Sequence, residues 1–237
     1  MYLGLTKQVG RVGVFLALGL GITFPAYAGL VNGSFEDINP SLPLGTYIIT
    51  NQNNVPGWLT TSTDSNIEVW SNGFSSSSNG AVFAYEGQQF AEINATQFAT
   101  LYQDVLGIAS GSIVGFQFAH RGRSGVDSMR LTITDLGSDG LLNGIDDTIL
   151  FSNDYSDGND AWGFYTSAGE SAITALGNTT RFAYQALTTA SGNDTVGNFI
   201  DAADFGVGVG GSSIPEPGTL ALLGLGLAGF GVARRRK

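Results

Sequence analysis

The chain has 237 residues, no cysteine, one histidine and a formal net charge of −10. The lack of cysteine excludes disulfides, thiolate metal sites and thiol catalysis. The acidic balance disfavours nucleic acid as a partner, because the phosphate backbone carries the same sign of charge.

The first 28 residues have the order of a secretory signal peptide. Two basic residues precede the apolar stretch VGVFLALGLGI, and Ala26 and Ala28 form a small-residue Ala-x-Ala site. This order is typical of a leader that is removed after export. We predict a signal helix within residues 1–28 and cleavage before Gly29. A buried helix at the start of the fold is the alternative.

Residues 29–209 are predicted to form one all-β domain. Helical periodicity is nearly absent there, and apolar side chains occupy alternate positions in IVGFQFAH (113–120) and SMRLTITD (128–135). One buried and one solvated face is the pattern of a two-sheet antiparallel β-sandwich, here of the jelly-roll kind. In chain order, the predicted strands are Leu30–Phe35, Ile67–Trp70, Gln89–Asn94, Thr100–Val105, Ile113–His120, Met129–Asp135, Thr148–Ser152, Gly163–Thr166, Phe182–Thr188 and Phe199–Ala202.

Two segments are predicted to lack regular structure. GFSSSSNGA (73–81) has the composition of a flexible loop, and residues 210–214 have that of a linker. With both ends set aside, residues 29–214 keep four arginines, no lysine and nineteen Asp and Glu, which gives a net charge of −15. Such a surface suits a secreted domain that stays soluble or takes up divalent cations.

The C-terminal end combines three elements. Pro215, Glu216 and Pro217 precede an apolar run at 218–233, and the chain then ends in a basic cluster of Arg234, Arg235, Arg236 and Lys237. This order resembles the PEP-CTERM sorting signal of Gram-negative bacteria. The resemblance implies an exosortase as processing partner, with a transient stop of the hydrophobic helix in the inner membrane. It also implies export to the cell surface or extracellular matrix, where such proteins often accompany exopolysaccharide and biofilm.

A permanent membrane anchor is the alternative to sorting. The apolar run is short and contains five glycines, which weaken a helix and allow close packing against a partner. We therefore predict that residues 215–237 are a sorting signal.

Several short motifs of the domain resemble galactose-binding-like jelly rolls, the fold of many carbohydrate-binding modules. LVNGSFE (30–36), VPGW (55–58) and GNFIDAADF (197–205) resemble their opening and closing strands. Between them, EGQQFAEINA, LYQDV and FAHRGRSGVDSMRLTITD resemble sandwich domains of that type. The resemblance implies a β-sandwich that binds a glycan or serves as an extracellular module, since a fold alone does not give a function.

Two structural calcium sites are candidates. In the jelly-roll modules a metal commonly ties the first strand to the last, and the resemblance places its ligands at Glu36 and Asp201. The second candidate is DLGSDGLLNGIDD, an EF-hand-like loop whose ligand positions are Asp135, Asp139, Asn143 and Asp146. It lacks an acidic residue at the third position and flanking helices, so a polar β-turn is the alternative. For Glu36 and Asp201 the alternative is a pair of solvated strand ends.

A glycan-binding surface is also a candidate, because sugars stack on exposed rings and bond to polar side chains. The aromatic candidates are Trp58, Trp70, Tyr85 and Trp162, and the polar candidates are Arg121, Arg123 and Asp127. Burial in the core is the alternative for each tryptophan. His120 is in phase with Phe116 and Phe118, so we predict a hydrogen-bonded residue at the edge of the core.

These observations predict an exported, non-enzymatic β-sandwich protein that binds or organises exopolysaccharide. The first alternative is a structural or adhesive matrix protein with no defined sugar site. The second is an exported glycoside hydrolase, for which Glu86 and Glu92 offer carboxylates. A single histidine leaves histidine-rich zinc sites without most of their ligands.

Overall fold

The structure is a computed structural model that describes residues 29–77 and 80–211. The predicted signal helix with its cleavage site and the sorting signal with its hydrophobic helix lie outside these residues. Within the described part of the chain, no helix is long and apolar enough to cross a membrane.

Fourteen strands and two short 3-10 turns make up the regular structure of the described residues. The strands are β1 (Tyr47–Asn51), β2 (Leu59–Thr60), β3 (Asn66–Ser71), β4 (Phe74–Ser77), β5 (Gly80–Val82), β6 (Gln89–Glu92), β7 (Thr100–Val105), β8 (Ile113–Arg121), β9 (Asp127–Asp135), β10 (Thr148–Asp157), β11 (Gly163–Thr166), β12 (Ile173–Thr174), β13 (Thr180–Thr188) and β14 (Phe199–Val207). The turns are Gln52–Asn54 and Val209–Gly211.

The strands form two main antiparallel sheets and one hairpin. The larger sheet has the order β1–β3–β6–β14–β8–β11, and β12 also pairs with β8. The smaller sheet has the order β10–β9–β13–β7–β2, while β4 and β5 pair with each other. This architecture confirms the predicted all-β, two-sheet antiparallel sandwich.

The main hydrophobic core lies between the inner faces of the two sheets. Met129, Leu131 and Ile133 of β9 are fully buried in it, as are Phe116 and Phe118 of β8. The residues between those of β9 point away from the core, which confirms the predicted alternation. The same alternation determines which side chains of the larger sheet point outward.

The predicted strand at 30–35 is wrong, whereas the other nine predicted strands coincide with observed ones. The segment turns instead, because Asn32 and Phe35 adopt left-handed φ angles of 54° and 57°. Gly33 is required here, since a Cβ would lie 1.8 Å from the carbonyl oxygen of Ala203. The segment therefore packs closely against β14 without forming a strand.

Residues 73–81 were predicted as a loop, and that prediction is also wrong, since they contain β4 and most of β5. Phe74 and Val82 pair across this hairpin. Both pack on a second hydrophobic cluster that contains Trp70, Phe90 and Phe199. The serine-rich sequence has no β periodicity, so contacts at the base of the hairpin decide its structure.

Candidate functional site

The outward face of the larger sheet carries several aromatic and acidic side chains. Side chains alternate along a strand, so those that do not enter the main core point outward. The register pairs Tyr47 with Trp70, Trp70 with Phe90, and Glu68 with Glu92. Adjacent strands thus place rings beside rings and carboxyls beside carboxyls.

A cleft of about 310 Å³ opens on this face near the edge strand β1. Its lining residues are Tyr47, Ile49, Glu68, Phe74, Ala95, Arg123, Thr195 and Val196. The hairpin β4–β5 supplies one wall, and the turn before β14 supplies the other. The volume lies at the lower end of the range of about 300–1,000 Å³ that small-molecule sites occupy.

Two rings form the apolar side of the cleft. Tyr47 is 48% exposed, and its ring centroid lies 4.9 Å from that of Phe74. Trp70 lies beneath them, fully buried, with its centroid 4.7 Å from that of Phe74 in an edge-to-face contact. Because Trp70 fixes both rings from below, the exposed ring of Tyr47 is held in place for stacking.

The floor of the cleft is a buried ionic cluster. Arg123 donates from Nη1 to both carboxylate oxygens of Glu92, at 3.0 and 2.8 Å. The Gly197 amide donates to Glu92 Oε1 at 2.7 Å, and the Trp70 indole donates to Glu68 Oε1 at 2.6 Å. The Arg123 guanidinium also lies 4.7 Å from the centroid of the Trp70 ring, which adds a cation–π contact.

Both carboxyl groups of the floor have raised pKa values. Burial raises the pKa of Glu68 above its usual range. Burial and then the charge of Glu68 raise the pKa of Glu92 well above its usual range, while Arg123 opposes both shifts. If the pair holds one proton, its remaining negative charge balances the positive charge of Arg123 and the floor is electrically neutral.

A second layer of buried polar groups supports this floor. Asp127 is fully buried and accepts hydrogen bonds from the backbone amides of Arg123 (2.7 Å), Ala190 (2.7 Å) and Asn198 (3.2 Å). His120 is fully buried between Asp157, at 2.7 Å, and Asn198, at 3.0 Å. The prediction for His120 as a hydrogen-bonded core residue is confirmed.

Of the seven ligand-binding candidates, the structure brings only Arg123 to the cleft surface. Trp58 and Trp70 are 1% and 0% exposed, so neither ring has a free face and their prediction as stacking rings is wrong. Asp127 is likewise wrong as a ligand-binding residue, since it is buried and occupied by backbone amides. Arg121 donates to the carbonyl of Asn159 and does not line the cleft.

Three lining residues of the cleft were not predicted from the sequence, namely Tyr47, Glu68 and Phe74. A usable signal was present for Glu68, because in NIEVW it is in phase with Trp70, and in QFAE Glu92 is likewise in phase with Phe90. A charged residue on the same side of a strand as large aromatic rings indicates a face of the sheet that is neither fully buried in the core nor fully exposed to solvent. No comparable signal marks Phe74 within the serine-rich hairpin.

The first calcium candidate, Glu36 and Asp201, holds a loop by hydrogen bonds. Glu36 Oε1 accepts from the amides of Gln88 (2.6 Å) and Gln89 (2.8 Å). Asp201 accepts from the amides of Tyr85 (2.7 Å), Glu86 (2.9 Å) and Ala202 (2.7 Å). Burial raises the pKa of Asp201 to about 7 despite these amides. A cation here would compete with five N–H donors, so this donor set fits calcium less well.

In the second calcium candidate, the loop at 135–147, the structure brings together a different set of acidic side chains from the predicted one. In the described part of the chain, one group of three acidic side chains has ligand oxygens within 4.8 Å of one another, namely Asp139, Asp146 and Asp147. Asp135 is not in this group, since it is buried and accepts from Gly137 and Asn178. The backbone N–H of Asn143 donates to Asp147 Oδ2 at 2.7 Å. Asp146 and Asp139 also accept from Ser138 and Leu141, so the advantage of this group for a hard cation is that three carboxylates converge near the surface.

A smaller groove of about 230 Å³ lies on the outer face of the five-stranded sheet. Four threonines line it, and Tyr102 and Arg181 are among its other lining residues. The Arg181 guanidinium lies 3.9 Å from the centroid of the Tyr102 ring, and Arg181 forms a bidentate pair with Asp104 at 2.7 and 2.8 Å. Because the guanidinium covers one face of Tyr102, this groove offers less ring surface than the cleft.

Together, fold and site define an all-β sandwich with a ring-lined cleft on the outward face of its larger sheet. Three solved carbohydrate-binding modules have a similar fold. The C-terminal family 22 module of Clostridium thermocellum Xyn10B is 15% identical, with 72% of this chain and 97% of that chain covered and a TM-score of 0.43. The xylan-binding CBM22-2 domain of Paenibacillus barcinonensis Xyn10C is 10% identical, with 68% and 98% covered and a TM-score of 0.41. A family 35 module from Clostridium thermocellum is 12% identical, with 68% and 97% covered and a TM-score of 0.37.

The C-terminus of the chain carries a PEP-CTERM protein-sorting motif, which matches residues 213–237. The motif contains the tripeptide, the apolar run and the basic cluster that the sequence analysis singled out. No curated protein sequence matches this chain.

Proposed function

We propose that this protein is an exported, non-enzymatic module that binds a neutral polysaccharide in the cleft whose apolar side is formed by Tyr47 and Phe74. The observation that carries the proposal is the pairing of an exposed, fixed ring with a polar floor in one ligand-sized cleft. The Tyr47 ring offers a stacking surface for the C–H face of a sugar, and Glu68 and Arg123 offer groups for its hydroxyls.

Charge favours a neutral ligand over an acidic one. Residues 29–214 have a net charge of −15, which repels a chain of uronates at low salt. The cleft floor itself is neutral when Glu68 and Glu92 share one proton. A neutral sugar brings no charge that the surface would repel, and its hydroxyls match the polar groups of the floor.

The cleft also argues against the glycoside hydrolase alternative. Of the two carboxylates considered for it, Glu92 is fully buried and held by Arg123 and Gly197, so it cannot reach a substrate. Glu86 is exposed on a loop and accepts a hydrogen bond from Ser34 at 3.0 Å. The pair therefore supports no acid–base mechanism.

The sorting motif supports export and exosortase processing, with the inner membrane as a transient location and the cell surface or extracellular matrix as the destination. An exopolysaccharide of the producing cell is then the natural ligand for the cleft. The mass of the protein recovered outside the cell tests both cleavages, before Gly29 and near Pro215.

Replacing Tyr47 with alanine tests the glycan-binding proposal. We expect the variant to lose about tenfold in affinity, because it removes a stacking contact of about 0.5–1.5 kcal/mol together with its contact area. Affinity electrophoresis against soluble xylan, β-1,4-galactan, mixed-linkage β-glucan and the exopolysaccharide of the producing cell measures the effect. Tyr102→Ala, on the opposite sheet, is the matched control. Binding that depends on Tyr102 and not on Tyr47 would place the site on the other sheet and refute the proposal.

Calcium is the cofactor that we propose for the loop of Asp139, Asp146 and Asp147, with a structural role. We expect saturating calcium to raise the melting temperature by an amount on the order of 5 °C, since a ligand that binds the folded state stabilises it. The Asp146→Asn variant should lose this response, whereas Glu36→Gln should keep it. Differential scanning calorimetry with calcium, magnesium or EDTA measures the shift. Identical melting temperatures in calcium and EDTA would exclude a structural calcium site.

A further inference from the structure

A second group of exposed rings lies on the same outward face, at the opposite edge of the larger sheet. We call it the aromatic platform, and it consists of Phe83, Tyr85, Trp162 and Phe164. Phe83 is 60% exposed, Tyr85 45% and Phe164 43%, while Trp162 is half-buried. Exposed rings concentrated in one place mark an interaction site more often than scattered ones do.

The platform is held rigidly. The rings of Tyr85 and Phe164 are stacked, with centroids 5.1 Å apart and planes within 5° of parallel. The Trp162 indole donates to the carbonyl oxygen of Phe83 at 2.9 Å, and the Tyr85 amide donates to Asp201 at 2.7 Å. Rings fixed in this way lose little conformational entropy when a ligand binds to them.

A row of buried rings connects the platform to the cleft. Centroid distances are 6.2 Å from Tyr47 to Trp70, 6.0 Å from Trp70 to Phe90, 5.5 Å from Phe90 to Trp162 and 6.5 Å from Trp162 to Tyr85. The buried rings lie beneath the β4–β5 hairpin, so they fix the two exposed ends rather than contact a ligand. Strands β1 and β11 are five strand spacings, or about 24 Å, apart, and this is an upper limit for the separation of the two ends because Trp162 reaches back over the sheet to Phe90.

We propose that the cleft and the aromatic platform bind one neutral polysaccharide chain at two points, so that the protein recognises an extended polymer rather than a short sugar. This inference rests on the proposed glycan-binding function of the cleft. The platform itself has only uncharged side chains. The net charge of −15 disfavours both a second copy of the chain and an anionic membrane as its occupant. A neutral polymer that already occupies the cleft lies on the same face and suffers no such repulsion.

The test combines two platform variants with ligands of two lengths. Isothermal titration calorimetry uses the neutral polysaccharide that the wild type binds best in the panel above, and a short oligosaccharide of the same sugar. We expect Tyr85→Ala and Phe164→Ala to lower the affinity for the polymer about tenfold and to leave that for the oligosaccharide unchanged. Tyr47→Ala should weaken binding of both ligands. Phe98→Ala, which removes a ring of similar exposure (44%) outside the row, is the control.

Each alternative result is distinct. Wild-type polymer affinity in both platform variants overturns the two-point inference while leaving the cleft intact. Failure of every polysaccharide to bind overturns both proposals. If the platform variants instead change self-association in sedimentation velocity or binding to phosphatidylcholine vesicles, the platform serves another partner and the inference is wrong. Thermal unfolding of each variant confirms that any loss of affinity occurs in a folded protein.

Discussion

Replacing Trp58 with alanine is expected to lower the free energy of unfolding by about 3–5 kcal/mol, the range for a large aromatic side chain removed from a core. The Trp58 ring is 1% exposed and stacks on Phe35 with centroids 4.9 Å apart. Its indole also donates to the carbonyl oxygen of Asn32 at 2.9 Å. The substitution therefore leaves both a cavity and a carbonyl without its partner.

Chemical denaturation at 25 °C measures this loss of stability. Two further variants serve as comparisons. Trp58→Phe keeps a ring against Phe35 and should lose less, which keeps the test valid if the alanine variant fails to fold. Phe98→Ala removes an exposed ring and should change stability by less than about 0.5 kcal/mol. If the Trp58→Ala protein kept wild-type stability but no longer bound polysaccharide, Trp58 would be a ligand-binding residue and not a core residue.

Stability is expected to fall as the pH rises above the usual carboxyl pKa of about 4.3, because the pKa values of Glu68 and Glu92 are raised in the folded state. Between that value and the raised pKa values the folded protein binds more protons than the unfolded chain. The free energy of unfolding then decreases with pH, by at most about 1.4 kcal/mol per pH unit for each proton concerned. The raised pKa of Asp201 acts in the same direction up to about pH 7.

The Glu68→Gln variant isolates the contribution of the pair. Glutamine keeps an oxygen for the Trp70 indole and removes the charge that repels Glu92, so the slope of stability against pH should become shallower. Denaturant titrations at several pH values measure the slope. Glu170→Gln removes an exposed carboxyl and controls for the change in net charge. A slope identical in wild type and Glu68→Gln would mean that the two carboxyls do not share a proton.

The local sequence was sufficient for the fold class because alternation is a local property. In β8 and β9 each residue's side of the sheet follows from its position in the strand, and the structure confirms both patterns. The hairpin at 74–82 and the turn at 30–35 could not be predicted in this way. The first depends on Phe74 and Val82 meeting Trp70, and the second on Gly33 meeting Ala203, which is distant in the chain.

The candidate site could be predicted only in part, for a related reason. Arg123 was identified from its chemistry, but its partner Glu92 and the neighbouring Glu68 come from β6 and β3, and their meeting depends on strand register. Each tryptophan was expected either to be buried in the core or to lie on the ligand-binding surface, and composition cannot decide between these two places. The structure places Trp58 and Trp70 inside and exposes Tyr47 and Tyr85 instead.

The sequence by itself determined the signal peptide prediction, the sorting motif at 213–237, the acidity of the domain and its all-β class, because each is written in contiguous residues or in composition. Only the tertiary structure decided which rings are exposed and which carboxyls are paired. Periodicity tells which side of a strand a residue occupies. Whether that side is covered depends on segments elsewhere in the chain, here the β4–β5 hairpin and the turn before β14, and their positions are fixed by packing.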